Sequence, residues 1–241
     1  MVNDRAAFGG RERGRLGRRL LVALVSPNSY GLVLVLIVAT YVLSVSTTIS
    51  WMAPLVLLVQ VVTVWLALRT SGAHRSVRLT ANALLAVAIV VASVDLLTGA
   101  SGESALVFGV SGLLYLVAPI AIIRHLASRP VVDLESLLGV VSAYLLIGMF
   151  FAFTYRFLSI AQTGPFFGTD GDGTTSQALF FSFTTLTTTG YGNLVPDANP
   201  GQSLAVGEML IGQLFLITAL GKVVTAWRPS TTSSPPPEED D

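Results

Sequence analysis

The 241-residue chain has the composition of a membrane protein, since 52% of its residues are hydrophobic and its mean hydropathy is +0.72. Only 12% are charged, about half the fraction found in soluble domains. The 14 basic and 14 acidic residues balance, so nothing favours a nucleic-acid partner. The absence of cysteine excludes disulfide scaffolds, thiolate metal sites and cysteine nucleophiles.

Residues 1–29 form a basic segment ahead of the hydrophobic part of the chain. Between Arg11 and Val25, arginines alternate with leucines and valines, and Pro27 follows. One interpretation is an amphipathic segment at the inner surface of the membrane, where each basic residue gains about 1 kcal/mol from anionic lipid. An unstructured basic tail is an equally good interpretation.

Six stretches are apolar enough to cross a bilayer as helices, which need about 20 mostly apolar residues. Open strands do not persist in hydrocarbon, so helices are the expected structure. The sequence therefore predicts an all-α membrane protein with six transmembrane helices. Residues 30–129 hold the first four, and residues 130–228 hold the last two. The predicted spans are Tyr30–Val45, Trp51–Leu68, Thr80–Leu97, Ala105–Ile123, Leu134–Leu158 and Gly201–Trp227.

The basic residues indicate how these spans are oriented. Of the 14 lysines and arginines, only Arg156 lies at the other end of a span. The rest lie before the first span, between the second and third, between the fourth and fifth, or at the end of the sixth. Six crossings bring these regions to one side, which the positive-inside rule makes cytoplasmic. We expect both termini to be cytoplasmic and the protein to lie in the cell membrane.

A short apolar segment, Gln177–Thr187, lies between the fifth and sixth spans and is too short to cross the membrane. We predict a re-entrant pore helix that enters from outside and carries the following loop to mid-depth. From Thr185 to Pro196 the chain reads TLTTTGYGNLVP. Glycine reaches positive φ without a clash, so Gly190 and Gly192 permit a backbone that alternates between right- and left-handed conformations.

This motif resembles the selectivity filter of potassium channels, and the resemblance extends from the fifth span to the sixth. It implies that K⁺ binds at backbone oxygens of Thr188, Thr189, Gly190 and Tyr191, which replace its hydration shell, with Gly192 completing the filter. K⁺ is the permeant ion, and no organic cofactor is implied. A four-sided ion path needs four such loops and each chain has one, so a homotetramer is expected.

Two filter positions depart from the usual pattern of this family. Thr189 replaces valine or isoleucine, but its β-branched side chain keeps the stiff χ1 that packs behind the filter. Asn193 replaces the aspartate just outside the filter, which removes one negative charge per chain from the outer mouth.

The pore helix departs as well, because Phe180 and Phe181 replace tryptophans and offer no hydrogen-bond donor. The hydroxyl groups of Thr184 and Thr185 are therefore the predicted supports of Tyr191. We expect a filter that is less rigidly held than in relatives with tryptophan.

Glu208 lies about two turns into the sixth span. A carboxyl group at such a depth is expensive and indicates a functional site. We expect it to support the filter, with pore-helix threonines, Asn193 or Arg156 as its partner. A protonated Glu208 can donate a hydrogen bond, whereas an ionised one only accepts. The alternatives are a pH sensor and a static pair with Arg156 that sets helix register.

Gly212 lies further along the sixth span, where simple bacterial potassium channels have a hinge glycine. A glycine weakens a helix by about 1 kcal/mol, so a gating hinge is one interpretation. Close packing against another helix is the other.

Two other regions bear on gating. A voltage sensor needs about 3–4 charges per subunit in the field, but the fourth span carries none before Arg124 at its inner end. Strong voltage dependence is therefore not expected. Residues 229–241 form a proline-containing acidic tail that is expected to be disordered.

The predicted function is passive K⁺ conduction by a tetrameric channel. No residues at membrane depth form a nucleophile, base and orienting group, so no enzyme is predicted. The alternatives are a weakly selective cation channel and a non-conducting membrane scaffold or regulatory subunit.

Overall fold

A computed structural model describes residues 30–46, 53–72, 75–98, 105–128 and 133–226. Within these ranges the regular structure is helical, as predicted. The α-helices are α1 (Tyr30–Ser46), α2 (Ala53–Thr70), α3 (Arg75–Thr98), α4 (Ala105–Ala127), α5 (Leu134–Ala161), α6 (Thr175–Leu186) and α7 (Gly201–Ala226). The basic segment (residues 1–29) and the acidic tail (residues 229–241) lie outside the described residues.

Three helices are long and apolar enough to cross a membrane: α4, α5 and the Gly201–Lys222 part of α7. Shorter apolar segments lie in the first three helices, namely Tyr30–Ser46, Val59–Thr70 and Asn82–Val91. The all-helical class is therefore confirmed for the described residues, and three of their helices could cross a membrane. The count of six crossings stays a prediction.

Helices α4 and α5 form an antiparallel pair. Residues at opposite ends of the two helices meet, since Phe108 contacts Phe153 with ring centroids 6.0 Å apart and Leu126 lies against Gly139. The start of α5 therefore lies beside the end of α4, and α1 packs against the same end through Tyr30.

The core of the described helices lies where α1, α2 and α4 cover α5. Its fully buried side chains include Ile37, Val64, Leu114, Leu146 and Met149. The buried amide of Gln60 is paired inside it, since Gln60 Nε2 donates to the carbonyl oxygen of Ser111 at 3.0 Å. This cluster covers one face of α5. The other face of α5 is left for contacts with α6 and α7.

Helix α6 lies between α5, α7 and α1. Phe183 on α6 fills the space beside Gly148 of α5, where a Cβ would lie 2.7 Å from the Phe183 ring. On another side, Tyr41 of α1 meets the edge of the same ring at a centroid distance of 5.5 Å. The short helix is thus held by the first helix as well as by its own neighbours in the chain.

Candidate functional site

Helix α6 begins with a reciprocal capping arrangement. The hydroxyl of Thr174 accepts from the backbone N–H of Gln177 at 3.2 Å, and the Gln177 side chain accepts from the backbone N–H of Thr174 at 2.8 Å. The buried Arg156, near the carboxyl end of α5, donates through Nη1 to the carbonyl oxygen of Gly173 at 2.8 Å. The start of α6 is therefore fixed near the carboxyl end of α5.

The other end of α6 lies against the middle of α5 and α7. Tyr144 of α5 donates through its hydroxyl to the carbonyl oxygen of Leu186 at 3.1 Å. The same oxygen approaches Gly212 of α7 so closely that a Cβ there would collide with it. Further on, the backbone N–H of Asp197 donates to Phe166 O at 3.0 Å, so the chain returns to the end from which α6 started.

The loop after α6 has an alternating backbone. Positive φ occurs at Thr188 (57°), Gly190 (52°) and Gly192 (77°), and not at the two residues between them. Left-handed conformations at both glycines agree with the sequence prediction. Thr188 was not expected there, because a β-branched residue with positive φ is a genuine outlier. Such strain, about 1–3 kcal/mol per residue, concentrates at functional sites.

Hydrogen bonds to the end of α6 hold the start of this loop. The backbone N–H of Thr188 donates to Thr185 O at 2.9 Å, and that of Gly190 donates to Thr184 O at 3.0 Å. Gln213 of α7 donates through Nε2 to the hydroxyl of Thr188 at 3.0 Å. The strained residue is therefore tied to both the short helix and the long one.

The loop is uncovered in the single chain. Residues 187–193 are all exposed, and the side chain of Tyr191 is 70% exposed. The Tyr191 ring stacks on Phe180 with centroids 5.7 Å apart and planes inclined at 16°. Leu194 is buried and ends the exposed stretch. The loop thus faces away from the chain that carries it.

Glu208 is completely buried, and its partners differ from all three candidates. Its carboxyl oxygens lie 2.7 Å from the hydroxyl of Tyr155 and 2.6 Å from that of Ser182. The pore-helix hydroxyl is therefore a serine instead of a threonine. Arg156 is not a partner, because its Nη1 donates to Gly173 O and to the Ser159 hydroxyl.

The predicted supports of Tyr191 take other positions within one chain. Thr184 donates through its hydroxyl to Phe181 O at 3.0 Å, and Thr185 is buried. Asn193 is exposed. The stack with Phe180 is the contact that Tyr191 makes inside its own chain.

Four residues near the loop were not identified from the sequence: Tyr144, Tyr155, Ser182 and Gln213. Gln213 had a usable signal, because it is a polar side chain in an apolar span beside Gly212. The other three are hydroxyl residues, which are common in membrane helices and carry no pattern of their own.

Residues 139–228 match a family described as "Ion channel". This range contains most of α5, all of α6 and α7, and the loop between them. Comparisons with curated proteins and with solved structures gave no significant match.

Proposed function

We propose that the protein is a K⁺-selective channel that conducts passively as a homotetramer, and the match of residues 139–228 to the ion channel family supports this. The loop from Thr188 to Gly192 is its filter. The observation that carries this proposal is the positive φ at alternate residues of that loop. Such alternation directs successive carbonyl oxygens towards one side of the strand, which is what replacing the hydration shell of K⁺ requires.

The depth of the loop supports this assignment. Leu186, which precedes it, lies beside Gly212 near the middle of α7. In a bilayer that position is within the hydrocarbon, where irregular backbone is tolerated only if protein covers it or if it lines a water-filled path. The exposed loop therefore requires other chains around it.

Four copies about one axis satisfy that requirement with closed symmetry. Each would contribute the backbone oxygens of Thr188, Thr189, Gly190 and Tyr191 to shared K⁺ sites. Helix α7 also offers large apolar side chains that its own chain leaves exposed, among them Leu210 (60%), Leu214 (63%) and Ile217 (64%). Neighbouring chains and lipid would cover them.

The topology completes the proposal. Six spans with α6 as a re-entrant pore helix would put both termini in the cytoplasm, and the distribution of arginines and lysines supports that orientation. The N-terminal arginines would then face anionic lipid of the inner leaflet. Gating by voltage would be weak, since α4 has no charged residue before Arg124.

Thr184, Thr185, Asn193 and Glu208 are assigned to the support of the filter in the assembled channel. Thr184 and Thr185 act through their carbonyl oxygens, which accept the backbone N–H groups of the loop. The role of Gly212 as a gating hinge remains a prediction. In the structure, Gly212 lies in close contact with Leu186.

The proposal is tested by reconstituting the purified protein in lipid vesicles and measuring K⁺ efflux and Na⁺ efflux separately. We expect K⁺ flux well above Na⁺ flux and a tetramer by mass measurement in detergent. Comparable fluxes of both ions would favour the weakly selective cation channel. A tetramer without any flux would favour the scaffold, and a monomer in lipid would overturn the proposal.

A further inference from the structure

The carboxyl group of Glu208 has two hydroxyl partners and no cationic one among the described residues. Tyr155 of α5 and Ser182 of α6 contact its two oxygens. Helix α6 contains no titratable residue, and α7 contains no other before Lys222. Arg156 follows Tyr155 in the chain, but its guanidinium lies over the Phe108 ring, with Cζ 5.5 Å from the centroid. An ionised carboxylate here would be a buried charge without a counter-charge.

The hydrogen count around Ser182 bears on the state of this group. Its Oγ lies 2.8 Å from the carbonyl oxygen of Gly148 and 2.6 Å from Glu208 Oε1. A serine hydroxyl has only one hydrogen. If Glu208 were ionised, both of these oxygens could only accept, and one of the two short contacts would have no hydrogen in it.

Protonation of Glu208 satisfies every contact. Its carboxylic acid donates from Oε1 to Ser182 Oγ, and Ser182 donates its own hydrogen to Gly148 O. Tyr155 donates to Oε2 at 2.7 Å. All three hydrogen bonds then contain one proton, and no charge is buried.

We propose that Glu208 is a neutral carboxylic acid whose proton completes a hydrogen-bonded tie between α5, α6 and α7. Glu208, Ser182 and Tyr155 are positioning residues of this tie, with Gly148 supplying the last acceptor. The claim about protonation stands on the contacts alone. The consequence for ion conduction rests on the function proposed above.

The tie sets the position of α6 along α7. Ser182 meets Glu208, and one turn further along both helices Leu186 meets Gly212. These two contacts are four residues apart on each helix, so α6 and α7 run side by side in one register. A slip of one turn would separate both pairs. The loop that begins at Thr187 is therefore held at a defined depth.

Infrared spectroscopy of the protein in lipid at neutral pH tests the protonation directly. We expect the carbonyl stretching band of a protonated carboxylic acid, and we expect Glu208→Gln to remove it. Glu135→Gln is the matched control, because Glu135 lies in the first turn of α5, away from the tie. The band should survive in that variant. A spectrum that is the same with and without Glu208 would overturn the proposal.

A series of variants tests the tie itself. Glutamine keeps one donor and one acceptor, so Glu208→Gln should melt within a few degrees of the unmodified protein. Glu208→Leu and Ser182→Ala should each melt several degrees lower, and Tyr155→Phe should do the same. If Glu208→Gln lowers the melting temperature as much as Glu208→Leu does, the ionised carboxylate is required and the proposal fails.

Neither measurement needs ion flux, so they separate this inference from the proposed function. A protein with the acid band and the predicted order of melting temperatures, but without K⁺ flux, would support the hydrogen-bonded tie and contradict the proposed channel function. K⁺ flux without the acid band and the predicted melting order would support the channel function and contradict the tie.

Discussion

Gly212 on α7 lies directly against the carbonyl oxygen of Leu186 at the end of α6, and a Cβ at this position would collide with that oxygen. No rotation of a side chain relieves a contact with backbone. The structure therefore gives Gly212 a packing role, whether or not it also bends during gating.

Gly212→Ala should lower stability for this reason. Overpacking costs about 1–3 kcal/mol, and the contact cannot relax without moving α7 away from α6. We expect a lower melting temperature and reduced K⁺ flux. Gly221→Ala is the matched control, because a Cβ there meets nothing within 4 Å of the same chain. That change should raise helix stability by about 1 kcal/mol. A Gly212→Ala protein of normal stability with altered open probability would favour the hinge.

Gly190→Ala should reduce selectivity for K⁺. Its φ is +52°, which costs a non-glycine residue about 1–2 kcal/mol. A Cβ there meets nothing within 4 Å in the chain, so the effect is conformational. Flux assays should show a lower ratio of K⁺ to Na⁺ transport. Gly72→Ala, at φ +57° in the turn after α2, is the control, because a Cβ there also meets nothing within 4 Å, and it should leave that ratio unchanged.

Gln213→Leu should disturb the inner end of the filter. The substitution removes the hydrogen bond to the Thr188 hydroxyl, worth about 0.5–1.5 kcal/mol, at a residue held in a strained conformation. We expect a several-fold loss of K⁺ preference with the tetramer intact. The control is Thr225→Val, which removes a hydroxyl bonded only within α7. An equal K⁺ preference in the two variants would mean that the Gln213 contact does not position the filter.

Phe180→Leu should make conduction sensitive to external K⁺. It removes the aromatic face on which Tyr191 stacks, and such pairs are worth about 0.5–1.5 kcal/mol beyond their buried area. With this support gone, we expect currents that decline when external K⁺ is lowered, faster than in the unmodified protein. Phe157→Leu, on the side of α5 that faces Gly109, is the control. If currents persist equally in both variants, the stack does not brace the filter.

Helix positions were predictable from the sequence because apolar runs and glycine or proline boundaries mark them. The predicted span Leu134–Leu158 corresponds to α5, and Gly201–Trp227 to α7. The pore helix begins two residues earlier than predicted, at Thr175, because the Thr174 capping arrangement extends it. Positive φ at the two filter glycines followed from their lack of a side chain.

Contacts between side chains on different helices were not predictable in the same way. Glu208 was recognised as unusual from its position, but its contact with Ser182 depends on the register between α6 and α7. The same register brings Gly212 against Leu186, and no local pattern joins those two residues either. The positive φ of Thr188 likewise arises from tertiary bonds, since a threonine alone disfavours it.

The measurement that tests K⁺ selectivity most directly is the reversal potential of reconstituted protein with K⁺ on one side of the bilayer and Na⁺ on the other. We predict a current that reverses close to the K⁺ equilibrium potential and that shifts with every change in the K⁺ gradient. A reversal near zero under the same gradient, or a bilayer that stays silent with purified tetramer present, would contradict it.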